Sequence, residues 1–90
     1  MQKLLPLVFG LMQPALAQPQ CAPRAAILSA LSQHFAETPR ALGVAPGAVV
    51  ELFTNPKTGT WTITATDPKG VTCLIASGAD FQIIPQGKPI

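Results

Sequence analysis

The chain has 90 residues and a formal net charge of +2; 48% of its residues are hydrophobic and only 11% are charged, against roughly 25% charged residues in an average soluble domain. This length fits one small domain. Six basic and four acidic residues exclude a strongly basic nucleic-acid binder and an acidic disordered tail.

The first 17 residues have the pattern of a secretory signal peptide. An apolar run covers residues 4–12, and Ala15 and Ala17 form a small-x-small cleavage site. A membrane-spanning helix needs roughly 20 apolar residues, about twice this run, and Pro6 interrupts the run. We therefore predict cleavage after Ala17, export to the periplasm or the extracellular space, and a mature chain that is not an integral membrane protein.

Cys21 and Cys73 are the two cysteines of the chain. In an exported protein such a pair indicates one disulfide bond rather than a redox or metal pair. By the loop-entropy model, this bond would stabilise the fold by roughly 4 kcal/mol. A free thiol pair, or a bond from Cys21 to another chain, are the alternatives.

The segment after Cys21 predicts an amphipathic helix near residues 23–37. Pro23 suits the first turn of a helix, and apolar residues then recur on one helical face at Ile27, Leu28, Leu31 and Phe35. Prolines and glycines between residues 39 and 47 predict an irregular connector.

From Ala48 onward the hydrophobic period changes to two, which predicts strands over residues 48–54, 60–66 and 71–77. The intervening segments, 55–59 and 67–70, each carry the proline and glycine of a turn. The predicted arrangement is an antiparallel meander.

The middle strand predicts which side chains face the helix. Trp61, Ile63 and Ala65 alternate with threonines, so we expect the apolar set to face the helix and the threonines to face outward. Glu51 then lies on the outer face, whereas a slip of one residue would bury its carboxylate at a cost of several kcal/mol.

Turn lengths predict the cross-strand pairs. A four-residue first loop places Leu52 opposite Ile63, and a three-residue second loop places Ala65 opposite Cys73 and Ile63 opposite Ile75. This arrangement directs the Cys73 side chain toward the helix side of the sheet.

Residues 79–84 predict either a fourth, edge strand or an extended segment that covers the core. The predicted organisation is a signal peptide over residues 1–17, a single α+β domain over residues 18–84 and a flexible tail over residues 85–90. The expected fold is one N-terminal amphipathic helix packed on a three- to four-stranded antiparallel meander, with one disulfide bond.

The residues offer little catalytic chemistry. His34 is the single histidine, and Ser29 and Ser32 lie near it without the context of a nucleophile elbow. Glu37 is on the same helical side as His34, but two ligands do not make a metal site. We therefore predict a protein that is not an enzyme, with no catalytic residues, no metal and no cofactor. Dispersed basic residues and the lack of tyrosine also argue against nucleic-acid binding.

The predicted outer face of the sheet is flat, weakly charged and partly apolar, which is typical of an interaction surface. Its candidate partner-contacting residues are Glu51, Phe53, Thr62, Thr64 and Leu74. Coverage by the C-terminal segment through Phe81, Ile83 and Ile84, or ordinary exposure without a role, are the other interpretations.

Five segments of the chain resemble a known group of proteins: Cys-Ala-Pro-Arg at 21–24, Val-Glu-Leu-Phe at 50–53, Thr-Gly-Thr-Trp-Thr at 58–62, Gly-Val-Thr-Cys-Leu at 70–74 and Ala-Ser-Gly at 76–78. With its cysteine pair and Gly-Thr-Trp-Thr motif, the chain resembles a group of small exported bacterial proteins without an assigned function. The resemblance implies one disulfide-linked exported domain and no catalytic residues. In architecture alone the chain is similar to PepSY-type domains, a weak basis for function.

The leading functional hypothesis is a small exported, non-enzymatic binding or accessory module. It would present its outer sheet face or an edge strand to an exported or envelope protein. The alternatives are an inhibitor of an exported enzyme and a minimal enzyme or small-ligand carrier, for which a closed cavity lined by Trp61 and Phe35 would be the structural sign.

Overall fold

The computed structural model describes residues 20–87, which form one α-helix and a five-stranded antiparallel sheet. The strand order across the sheet is β1-β5-β4-β3-β2. In chain order the elements are β1 (Cys21–Pro23), α1 (Arg24–Phe35), β2 (Thr38–Ala45), β3 (Ala48–Thr54), β4 (Trp61–Thr66) and β5 (Val71–Gly78). Within the described range, no helix is long and apolar enough to span a membrane. The predicted signal peptide lies outside this range.

The predicted α+β class and the three-strand meander are confirmed, but the sheet has two further strands. The short β1 precedes α1, so the helix is not N-terminal as predicted. The predicted connector is β2, joined to β3 by a tight turn in which Gly47 has a φ of +76°. Pro39 is compatible with this strand because β2 is at the sheet edge and a bulge follows the proline. The segment 79–84 forms no strand.

The predicted register is confirmed between β3 and β4, where Leu52 pairs with Ile63. Ala65 pairs with Cys73, also as predicted. Ile63 pairs with Ala76 rather than Ile75, because a register shift between Ile63 and Thr64 adds a residue to β5.

The prediction of which face the helix covers is wrong. Phe53 is 1% exposed and packs in one cluster with Ile27 and Leu31 of α1, whereas Ile63 lies on the opposite, partly exposed face. Glu51 was expected on the outer face because a buried carboxylate without a partner is unfavourable. The side chain of Arg24 supplies that partner, so Glu51 lies beneath the helix at 5% exposure.

The helix is less amphipathic than its spacing predicts. Ile27 and Leu31 are its buried residues, Leu28 is partly buried against the same cluster, and Phe35, the last residue of the predicted stripe, is 53% exposed. The apolar contact between α1 and the sheet is therefore confined to the middle of the helix.

The C-terminus of α1 is closed by a left-handed residue. Ala36 has a φ of +52°, its N–H donates to the Ser32 carbonyl at 3.0 Å, and the Glu37 N–H donates to the Leu31 carbonyl at 3.1 Å. The Asn55 side-chain amide donates to the Phe35 carbonyl at 3.0 Å. These bonds satisfy carbonyls that a helix end otherwise leaves without partners.

We expect Ala36→Gly to stabilise the domain by about 0.5 to 1 kcal/mol, because glycine adopts this left-handed conformation without the steric cost of a Cβ atom. The shift in the midpoint of urea denaturation measures the effect. Ala30→Gly, an exposed position within α1, is the matched control and should destabilise by about 1 kcal/mol. A loss of stability in both variants would contradict the role given to Ala36.

The Cys21–Cys73 disulfide bond is confirmed, and the described chain contains no free cysteine. The two residues are directly opposite each other in the β1–β5 pair. Ala22 contacts the core cluster, so its neighbour Cys21 projects to the other face, and the expected direction of Cys73 toward the helix is wrong. Such a bond indicates an oxidising compartment.

Candidate functional site

The structure brings the five predicted partner-contacting residues together, but beneath α1 rather than on an outer surface. Leu74 is partly buried against the core cluster. The other four are at most 5% exposed: Glu51, Phe53, Thr62 and Thr64. The prediction that they form the outer face is therefore corrected, because the helix covers this side of the sheet.

Arg24 and Glu51 form the ion pair at the start of the helix. The Arg24 Nε atom donates to Glu51 Oε1 at 3.0 Å, and a terminal guanidinium nitrogen donates to Oε2 at 2.6 Å. The hydrogen bonds that Arg24 donates to the Glu51 carboxylate raise the pKa of Arg24, against the opposing effect of desolvation. Both carboxylate oxygens are thus occupied by one cation, so Glu51 is not free to act as a base or to contact a partner.

The face opposite α1 is apolar, and we call it the open face. Paired residues of antiparallel strands project to the same side of a sheet, which places Ala41, Gly43, Val50, Leu52 and Ile63 together. They line a shallow hollow of about 200 Å³ together with Leu42 and Glu51, whose side chains project to the opposite face of the sheet. Val50, Leu52 and Ile63 are partly exposed, and none of the side chains directed to this hollow is charged.

The edge strand β2 adjoins the open face, and all eight of its residues are exposed. Leu42 is 66% and Val44 is 80% exposed, although both are large apolar residues. The opposite side of β2 pairs with β3, so its outer edge has no neighbouring strand within residues 20–87. The first part of this edge is protected from pairing with another strand by Pro39, the bulge and the charge of Arg40. Residues 41–45 have no such protection, because they carry no charge.

The C-terminal segment, residues 79–87, crosses the end of the sheet near the loop between β3 and β4. The Phe81 N–H donates to the Gly59 carbonyl at 2.9 Å, and Phe81 and Ile83 line a cavity together with Arg40, Thr54 and Pro56. This segment leaves the hollow around Leu52 uncovered, since neither Phe81 nor Ile83 lines it.

Trp61 marks the same end of the sheet. Its indole N–H donates to the Ala79 carbonyl at 3.0 Å, and its ring lies so close to Gly78 that a Cβ atom there would be 2.9 Å from a ring carbon. The predicted packing of Trp61 against the helix core is therefore replaced by packing on the backbone of β5.

A partly open cavity of about 290 Å³ lies between the end of α1 and the ends of β4 and β5. Phe35 and Trp61 both line it, as expected for a ligand carrier, but the cavity is partly open rather than closed. Glu37 also lines it; this residue is 3% exposed, and its Oε1 atom has no hydrogen-bond partner within residues 20–87.

The remaining residues with catalytic or metal-binding side chains do not form a common site within residues 20–87. His34, Ser29 and Ser32 are exposed on the helix, and Ser29 accepts a hydrogen bond from the Gln33 side chain at 3.1 Å. Asp67 Oδ1 accepts the N–H groups of Lys69 and Val71 and so completes a turn. Across residues 20–87, no group of three or more His, Cys, Asp or Glu side chains is placed to hold a metal ion.

Two features of the site were not predicted from the sequence: the ion pair of Arg24 with Glu51 and the burial of Glu37. A basic residue in the first helical turn opposes the helix dipole, and this unfavourable position was a signal that Arg24 has another partner. Glu37 gave no comparable signal, because its burial depends on the chain reversal at Ala36.

Comparisons of the chain with protein-family models, with curated proteins and with solved structures found no match.

Proposed function

We propose that this protein is a non-enzymatic binding module that contacts another exported protein through the outer edge of β2 and the adjoining open face. The observation that carries the proposal is the exposure of β2, an edge strand whose Leu42 and Val44 side chains are 66% and 80% exposed. Large apolar side chains beside an unpaired strand edge mark a surface that a partner can cover.

An extended segment of a partner can add to this edge as a further strand. In that binding mode, main-chain hydrogen bonds supply affinity and alternate side chains supply specificity. On β2, Leu42 and Val44 project to one side and Ala41 and Gly43 to the other. The small residues at 41 and 43 leave the apolar hollow on the open face accessible to side chains of the added segment.

Export is part of the proposal. The N-terminal pattern over residues 1–17 predicts a signal peptide, and the disulfide bond between Cys21 and Cys73 is of the kind that persists in oxidising compartments. A partner in the cell envelope or outside the cell is therefore favoured over a cytosolic one.

The test is capture by the oxidised protein from an exported fraction, followed by mass spectrometry. We expect the wild type to retain a partner that Leu42→Lys/Val44→Lys loses, because two charges on the edge prevent a strand from pairing there. Both positions are exposed, so the substitutions should change stability by no more than about 0.5 kcal/mol.

Val71→Lys/Ile75→Lys is the matched control, since these two residues are 39% and 59% exposed and lie on β5, which β4 and β3 separate from β2. It should capture the same partner as the wild type. Equal capture by both double variants would refute the proposed surface. Sedimentation of the protein alone separates a heterologous partner from self-association, which would assign the edge to a second copy instead.

A further inference from the structure

The cavity between α1 and the ends of β4 and β5 has one strongly polar feature in an otherwise largely apolar lining. Leu31, Phe35, Trp61 and Leu74 contribute most of the surface, which is apolar and aromatic, and Glu37 contributes a carboxylate. The rest of the lining is uncharged: Gln20, Thr60, Thr62, Ser77 and Gly78. Ligand sites commonly combine an apolar lining with a few fixed polar groups, and a volume of about 290 Å³ is at the small end of their range.

The carboxylate of Glu37 is held in position by the backbone. The left-handed Ala36 reverses the chain, and the Glu37 N–H donates to the Leu31 carbonyl at 3.1 Å. The side chain is 3% exposed and therefore cannot turn into solvent without a change of the helix end.

The electrostatics of this position are uncompensated. The ion pair in the described chain joins Arg24 to Glu51, and no basic residue lines the cavity that contains Glu37. A buried carboxylate oxygen without a hydrogen-bond donor is costly, and buried polar groups in folded proteins nearly always have partners. A donor that enters from the cavity would remove this cost.

We propose that this cavity is a binding site for a small organic ammonium ion that carries an apolar or aromatic group. The ammonium group would donate hydrogen bonds to the Glu37 carboxylate, and the apolar group would pack against Phe35, Trp61 and Leu74. Charge-assisted hydrogen bonds of this kind are about twice as strong as neutral ones. The site is separate from the β2 edge and does not depend on the function proposed for that edge.

Titration of the oxidised protein with benzylammonium tests the proposal, and benzyl alcohol is the neutral probe of similar shape. Trp61 is the single tryptophan of the chain and lines the cavity, so its fluorescence reports on the site itself. We expect a saturable change with benzylammonium and at least tenfold weaker binding of benzyl alcohol. Glu37→Gln should weaken benzylammonium binding at least tenfold and leave the response to benzyl alcohol unchanged.

Asp80→Asn removes the same charge from an exposed position that does not line the cavity, so this variant should bind benzylammonium as the wild type does. Equal binding of the two probes by the wild type would overturn the proposal, and this comparison needs no variant. Unchanged affinity in a folded Glu37→Gln protein would overturn it as well. Leu42→Lys/Val44→Lys should retain amine binding, so failure at the edge and failure at the cavity are distinguishable.

Discussion

Replacing both cysteines with serine is expected to lower the free energy of unfolding by roughly 4 kcal/mol. Cys21 and Cys73 are separated by 52 positions, and a bond that closes a loop of this length restricts the unfolded chain by about that amount in the loop-entropy model. A small single domain has a total stability of roughly 5 to 15 kcal/mol. The double variant should therefore be close to unfolding at room temperature.

The structure adds a reason in the folded state. The disulfide bond fixes the three-residue β1 to β5, and β1 leads directly into α1. Two backbone hydrogen bonds flank the pairing of β1 with β5. The Arg24 N–H donates to the Gly70 carbonyl, and the Leu74 N–H donates to the Gln20 carbonyl. Loss of the covalent bond leaves the start of the helix attached to the sheet by few contacts.

Urea denaturation of the double variant and of the wild type, with and without reductant, measures this effect. The reduced wild type should match the cysteine-free variant. A difference below about 1 kcal/mol between oxidised and reduced protein would contradict the prediction, because it would show that β1 and α1 are held in place by other contacts.

Phe53→Ala is expected to destabilise the domain by about 3 to 5 kcal/mol, the range for removing a large aromatic side chain from a core. Phe53 is 1% exposed and forms the buried core cluster of the described chain with Ile27 and Leu31. With so few fully buried apolar residues, no neighbour can fill the space that the ring leaves. Denaturant unfolding followed by circular dichroism gives the value.

Leu52→Ala is the matched control, because Leu52 is the neighbour of Phe53 on β3 and projects to the open face, where it is partly exposed. We expect a loss clearly smaller than that of Phe53→Ala, since a partly exposed side chain loses less buried surface on truncation than a fully buried one. The two variants decide which face of β3 the helix covers. A larger loss for Leu52→Ala would restore the arrangement that the sequence pattern predicted.

The meander could be predicted because its information is local. The period of two defines β3 and β4, the turn residues set the loop lengths, and the loop lengths set the register that pairs Leu52 with Ile63. β1 has three residues and β2 contains Pro39 and Gly43, so neither has the length or composition that signals a strand.

The covered face could not be predicted, because it depends on one contact between distant residues. Arg24 and Glu51 are 27 positions apart, and without their pairing the burial of Glu51 is unfavourable. The alternation of Trp61, Ile63 and Ala65 with threonines predicted the wrong face. Thr62, Thr64 and Thr72 are buried on the side that α1 covers, and the hydroxyl groups of Thr66 and Thr72 form a hydrogen bond of 2.7 Å.

The candidate sites were predictable to different degrees. A closed cavity lined by Phe35 and Trp61 is the expected sign of a ligand carrier; both residues line a cavity, but it is partly open. The residue pattern does not signal the backbone reversal that places Glu37 in it. The β2 edge was not predictable, because the prolines and glycines of residues 39–47 indicate an irregular connector rather than a strand. The resemblance to small exported bacterial proteins and to PepSY-type domains stays a prediction.

The sheet order has a consequence for how the molecule opens. The disulfide bond joins the two strands at one side of the sheet, and β2 lies at the other side, where none of its residues is buried. Segments with little buried apolar surface detach at the lowest free-energy cost. Release of β2 from β3 would leave the covalent bond and the helix core intact, so we expect β2 to open before the other strands of the sheet.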